Sequence, residues 1–146
     1  MKKILFYILP MLLLSSCTPK SSSPSAPKEK EIKMTLSIDN QELDVYWEDN
    51  DSVKAIKGIL PLSINMHQYG GFEQTGSIGQ SIVRNDSKIN VVPGDIVLYG
   101  GDAISVFYEN SSWSYTRLGH INLNNSELNA LLNKPSVLFV IKGEEK

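Results

Sequence analysis

From residue 33 onward, hydrophobic and polar positions alternate with period two through much of the chain, the spacing of half-buried β-strands. Met34, Leu36 and Ile38 share one face of a first run, and Leu43, Val45 and Trp47 share one face of a second. Asp39-Asn40 between them is turn chemistry, so the two runs are predicted to form a hairpin. Asp49, Asn50 and Asp51 then offer capping oxygens, and Val53, Ile56, Ile59 and Leu60 have helical spacing. The predicted helix covers residues 52–60 and should stop at Pro61. Period two resumes at Leu62, Ile64 and Met66. His67 to Gly79, with four glycines, reads as a long irregular loop. Ile78 and Ile82 read as short strand contacts near its end, and Ile89 to Val92 as a short apolar run after the turn Asn85-Asp86-Ser87.

Pro93-Gly94-Asp95 is a turn that launches Ile96 to Tyr99, and Gly100-Gly101-Asp102 reverses the chain into Ala103 to Tyr108. This is the clearest hairpin in the sequence. Trp113 to Ile121 forms a further strand, broken near Gly119. Asn125 or Ser126 caps a short helix with Leu128, Leu131 and Leu132 on one face, and Val137 to Ile141 is an apolar closing strand. Seven or eight strands without regular crossover helices exclude a parallel α/β sheet. A closed or nearly closed antiparallel barrel suits the pattern, because closure removes exposed edges, with two short helices over its ends. The pattern alone also admits a sandwich.

The first 32 residues break the alternation. Lys2 and Lys3 precede an apolar run, Ile4 to Leu14, of eleven residues. At about 1.5 Å per residue such a helix is too short to cross a core roughly 30 Å thick, so it reads as a cleavable signal. The run ends in Leu14-Ser15-Ser16-Cys17, and this order resembles a bacterial lipoprotein signal with its lipobox. The resemblance implies cleavage after residue 16 and acylation at Cys17, a palmitate-type anchor strong enough to hold the chain on a membrane. Thr18 stands where Asp commonly retains such proteins in the inner membrane, so in a cell with two membranes the outer one is expected. Residues 17–32 then supply the lipidated cysteine and a Ser/Pro/Lys-rich tether too polar to bury a core. The folded domain is expected over residues 33–142, with a tail at 143–146.

Composition narrows the chemistry. The 146 residues are 41% hydrophobic and 21% charged, too apolar for disorder throughout and too few for two ordinary domains. Between Lys33 and Lys142, twelve Asp and Glu face eight Lys and Arg, so there is no global field for nucleic acid. One cysteine excludes an internal disulfide, and with two histidines it makes a poor zinc site. No metal or other cofactor is expected: there is no phosphate-binding Gly-Lys loop, and Asp49-Asn50-Asp51 lacks the glycine and distal glutamate of a calcium loop. No Gly-x-Ser-x-Gly elbow accompanies His67 or His120 to make a serine hydrolase.

Three blocks together resemble the bacterial cyclophilin-like family. They are Leu60 to Met66 with Tyr69-Gly70-Gly71-Phe72-Glu73, then Pro93 to Gly100, then Phe107-Tyr108 followed by Trp113 to Gly119. The resemblance implies a closed eight-stranded antiparallel barrel capped by two short helices. True prolyl isomerases of this type carry a Phe-His-Arg and a Ser-Gln-Phe-Phe segment; neither occurs here, and no catalytic residue is transferred.

The strongest constellation is aromatic. Tyr69, Phe72, Phe107, Tyr108, Trp113 and Tyr115 gather in two loop-and-strand regions. Phe107 and Tyr108 must point to opposite sides of a strand, so at least one belongs to the core. Trp113, Tyr115 and Arg117 share a parity if their strand is regular, and Glu73 can pair with Arg117 or hold a ligand amine. The same rings would otherwise plug the barrel or brace the 67–79 loop. The binding reading assigns Tyr69, Phe72, Glu73, Phe107, Trp113, Tyr115 and Arg117 to a groove for a peptide or small-molecule ligand on a membrane-anchored domain. The alternative is a divergent prolyl isomerase, using Arg84 or Arg117 for electrostatic stabilisation.

Overall fold

The computed structural model describes residues 30–146 together with Pro24. The signal segment, Cys17 and most of the tether lie outside the described residues. The described chain is mainly β, with ten strands and two helices in a nearly closed antiparallel barrel. The strands are β1 (Ile32–Ile38), β2 (Gln41–Leu43), β3 (Val45–Trp47), β4 (Leu62–Tyr69), β5 (Glu73–Ser77), β6 (Ser87–Val91), β7 (Asp95–Tyr99), β8 (Ala103–Phe107), β9 (Ser111–Ile121) and β10 (Ser136–Glu145). Helix α1 (Asp51–Lys57) follows β3 and α2 (Asn125–Leu132) follows β9.

Nine strands lie along one path, β2-β1-β10-β4-β5-β8-β7-β9-β3, and β6 pairs with β9 off that path. The two ends of the path, β2 and β3, are neighbours in sequence separated only by Asp44, which brings the sheet round on itself. The count therefore differs from the expected eight, because residues 41–47 are divided at Asp44 and residues 87–91 add a short strand. The first predicted hairpin is likewise half right. Asp39 and Asn40 turn with positive φ, and residues 41–43 pair back onto β1. Val45–Trp47 instead crosses to β9, pairing with Gly119 to Ile121.

Further expectations are corrected. Residues 67–79 are not one irregular loop: His67–Tyr69 continues β4, residues 70–72 turn, and Glu73–Ser77 is β5. The sequence Glu-Gln-Thr-Gly-Ser hides that strand because Gln74 is buried, its amide donating to the carbonyls of Leu132 and Lys134. Gly143, Glu144 and Glu145 are no loose tail but the end of β10, paired with Met34, Lys33 and Ile32 of β1. Ile78 and Ile82 are not in strands; their amides donate to Asp102 and Gly101 carbonyls. The helices form where capping chemistry predicts. Asn50 accepts from the Val53 amide, and α1 ends at Gly58, ahead of Pro61. For α2 the cap is Asn124, one residue earlier than expected, in a capping box with Glu127.

Alternation sends Met34, Leu36 and Ile38, Leu62, Ile64 and Met66, Ile96 and Leu98, Ile104 and Val106, and Phe139 and Ile141 into the main core. Val53 and Ile56 of α1 and Leu128, Leu131 and Leu132 of α2 pack onto it. The opposite parity on β7 and β8 builds a second, smaller cluster on the outer side of the sheet, where Val97 and Phe107 meet Val91 and Tyr115. Phe107 and Tyr108 are both buried, in different clusters, because they point to opposite sides of the chain.

Candidate functional site

The outer cluster is the floor of a hollow of about 580 Å³. Its walls come from three places. Tyr69, Phe72, Glu73 and Thr75 rise from the β4–β5 hairpin, Tyr99 and Ala103 from the β7–β8 hairpin, and Ser111, Ser112, Trp113 and Tyr115 from the start of β9. Register explains the convergence. Glu73 lies opposite Phe107, Thr75 opposite Ser105 and Tyr99 opposite Ala103, all on the outer parity of adjacent antiparallel strands.

The rings form a continuous series. Tyr69 meets Phe72 edge-on at 6.0 Å between centroids, and Phe72 stacks on Phe107 at 6.3 Å. Phe107 meets Tyr115 at 5.6 Å, and Tyr115 meets Tyr99 at 6.0 Å, both tilted edge-to-face. Phe107 is fully buried under this series, while Tyr69, Tyr99 and Trp113 are 62%, 49% and 59% exposed. The tight β4–β5 turn sets the Phe72 ring. Gly70 has φ +61°, and a Cβ there would run into that ring, so the turn requires glycine. The Phe72 carbonyl in turn accepts from the amides of Tyr108 and Glu109, tying the turn to the end of β8.

Among the described residues, Glu73 is the only charged side chain lining this hollow. It is 93% buried, and its Oε2 has no hydrogen-bond partner among the described residues. Burial pushes its carboxyl up to about 7, against a smaller opposing effect of the Ser105 hydroxyl. The Tyr115 phenol is also raised, first by its own burial and then by the neighbouring Glu73 charge. Among the described residues, no Lys, Arg or His lines the hollow to balance that carboxylate.

Of the seven residues expected in the groove, Tyr69, Phe72, Glu73, Trp113 and Tyr115 line the hollow together. Phe107 lies beneath, touching Phe72 and Tyr115 rather than the open space. Arg117 does not join them. It keeps the outer parity of Tyr115 but lines a second, polar hollow of about 610 Å³ on the other side of that residue. There its guanidinium lies 2.6 Å from the Asp95 carboxylate and donates to the Asn90 carbonyl. A Glu73–Arg117 pair is therefore absent. Arg84 lines the same polar hollow and lies 3.6 Å from Asp86. His120 binds the other Asp95 oxygen through Nδ1 at 2.8 Å, and His67 lies outside both hollows.

Tyr99 and Thr75 belong to the aromatic hollow and were missed by sequence reasoning. Tyr99 carried a usable signal: it shares parity with Val97, opposite the core residues Ile96 and Leu98, so it faces outward beside Tyr115. Thr75 carried none, because its strand was hidden in an apparently irregular glycine-containing stretch.

A family model described as the Cyclophilin-like family matches residues 36–142, the span that contains all but the ends of the barrel and both hollows. A second, the prokaryotic membrane lipoprotein lipid attachment site, matches residues 1–18. No curated protein matches the chain.

Proposed function

The chain belongs to the cyclophilin-like family and carries a lipid attachment site that anchors it to the membrane of a prokaryotic envelope, and from that premise we propose that it is a tethered ligand-binding domain. The aromatic hollow is its binding site, and a peptide or small molecule is its ligand. Residues 17–32 hold the domain off the bilayer, and in a cell with two membranes the outer one carries it, as Thr18 indicates.

One observation carries this reading. Three large rings stand about half exposed or more around a single hollow, over a packed aromatic floor. The barrel does not need them for its core, which is complete without them on the inner face. Clustered exposed aromatic surface of this kind marks a binding site, and the volume lies in the range of ligand pockets. The isomerase alternative needs a cation placed against the bound amide, and both Arg84 and Arg117 face the polar hollow instead, each beside a carboxylate.

Trp113→Ala tests the proposal against a panel of labelled tetrapeptides that includes Xaa-Pro sequences. Binding should weaken about tenfold or more, as for an interface anchor, while stability changes by no more than about 0.5 kcal/mol, as for an exposed side chain. Equal loss of binding and stability would make the rings structural bracing and remove the site.

A further inference from the structure

The aromatic hollow combines two features that select one kind of ligand. Its walls present ring faces and edges from Tyr69, Phe72, Tyr99, Trp113 and Tyr115, and its lining includes one carboxylate, of which one oxygen is buried without a hydrogen-bond partner. The remaining lining groups are small, Ala103, Thr75, Ser111 and Ser112, and none carries positive charge. A neutral apolar ligand would seal in the Glu73 carboxylate without supplying the counter-charge it lacks, which is costly for a buried charge. An anionic ligand would be repelled by the same group. A positively charged organic head satisfies both features at once, through ring quadrupoles and through the carboxylate.

Resting on the binding reading above, we propose that this hollow recognises an organic ammonium group, of the lysine side-chain or quaternary alkylammonium type, seated between the aromatic walls and the Glu73 carboxylate. Burial raises the carboxyl toward neutrality in the empty hollow, which shows how poorly its charge is compensated there. A bound cation supplies that compensation. The polar hollow offers no comparable site, because its arginines and Lys54 lie beside Asp95, Asp86, Asp49 and Asp51.

The test uses the full mature chain in a neutral detergent and three probes. They are hexyltrimethylammonium, the peptide acetyl-Gly-trimethyllysine-Gly-amide, and the same peptide with carbon replacing the quaternary nitrogen. Calorimetry gives affinity, and the Trp113 indole signal in NMR, assigned with Trp113→Ala, gives location. At least one cation should bind tenfold or more tightly than the neutral isostere and shift that signal. Binding of the free alkylammonium shows that the head group suffices, and binding of the peptide alone shows that backbone contacts are needed; either supports the inference. Glu73→Gln should bring cation affinity down to the level of the isostere. Equal binding of all three at Trp113 overturns the charge preference and leaves the hollow as a binding site. Silence of all three at Trp113 overturns the inference and counts against the site itself. The comparison of probes is made on the unmutated protein, so it stands even if Glu73→Gln folds poorly.

Discussion

Two hollows of similar size flank Tyr115, and they handle charge in opposite ways. Arg117, which lines the polar one, lies 2.6 Å from Asp95, an almost fully buried side chain that also has His120 at 2.8 Å and accepts from the Val92 amide. Arg84 and Lys54 also lie beside carboxylates, and the Thr116 hydroxyl donates to Asp86. In the aromatic one a buried carboxylate has no counter-charge, and large rings stand open to solvent. Satisfied polar networks fix local geometry, while unsatisfied buried groups and exposed apolar surface cost stability unless something binds them. The contrast teaches that charge density is a poor guide to the site here. On the proposed reading, the hollow with more ionic residues serves the structure, and the one with a single ionic residue takes the ligand.

The comparison can be broken from either side, beginning with the floor that both share through Tyr115. Phe107→Ala removes the ring between Phe72 and Tyr115 and should cost about 3–5 kcal/mol in chemical denaturation, because the site is closed on all sides. A cost below about 1 kcal/mol would show that the aromatic series is only loosely packed. Asp95→Asn, which removes the charge between Arg117 and His120, should cost about 2 kcal/mol in the same experiment while leaving ligand affinity at the aromatic hollow unchanged. An unaltered midpoint would strip the polar hollow of its structural role.

Glu73 supplies a prediction of up to about 3 kcal/mol in pH dependence. Folding raises its carboxyl from 4.5 to about 7, so the folded chain holds this proton more tightly than the unfolded chain. Its contribution is therefore most favourable below about pH 4.5, declines as pH rises towards 7, and levels off above it. Of the phenols lining the hollow with it, that of Tyr115 is raised by burial and by the Glu73 charge, so it acts at still higher pH. Glu73→Gln should flatten the decline between pH 4.5 and 7 and make the protein more stable than wild type at pH 8, measured by urea midpoints across that range. A slope unaltered by the substitution would mean that water compensates the carboxylate. The smallest effect on stability belongs to Trp113→Ala, and the value of that variant lies in the gap between its small effect on folding and its large effect on binding.

Local chemistry made much of the fold legible. The Asp39-Asn40 turn, the Gly100-Gly101-Asp102 reversal and the caps at Asn50 and beside Asn125 act over a few residues, so sequence announces them. The clearest hairpin, β7–β8, forms as predicted with Tyr99 opposite Ala103. What failed were elements whose stability comes from partners distant in sequence. Strand β5 has polar composition and exists because β4 and β8 hold its edges and the carbonyls of Leu132 and Lys134 accept from Gln74. Strand β3 leaves the first hairpin because β9 offers it a pairing edge, closing the sheet.

The site divides in the same way. Sequence named five of the residues that line the aromatic hollow, because aromatic type and strand parity are visible in one dimension. Arg117 shares that parity and still falls in the other hollow, since parity fixes the side of a sheet and not the position along it; Asp95 holds it there. Tyr99 joins Tyr115 only through the antiparallel pairing of β7 with β9. By itself the sequence determined the address, through its first 18 residues, and the two-sidedness of every long strand, through alternation. Only the tertiary structure decided that Glu73 would be buried without a cation beneath open rings. Burial and counter-charge depend on which strands become neighbours, and the register of long-range pairing sets that, not the residues adjacent in the chain.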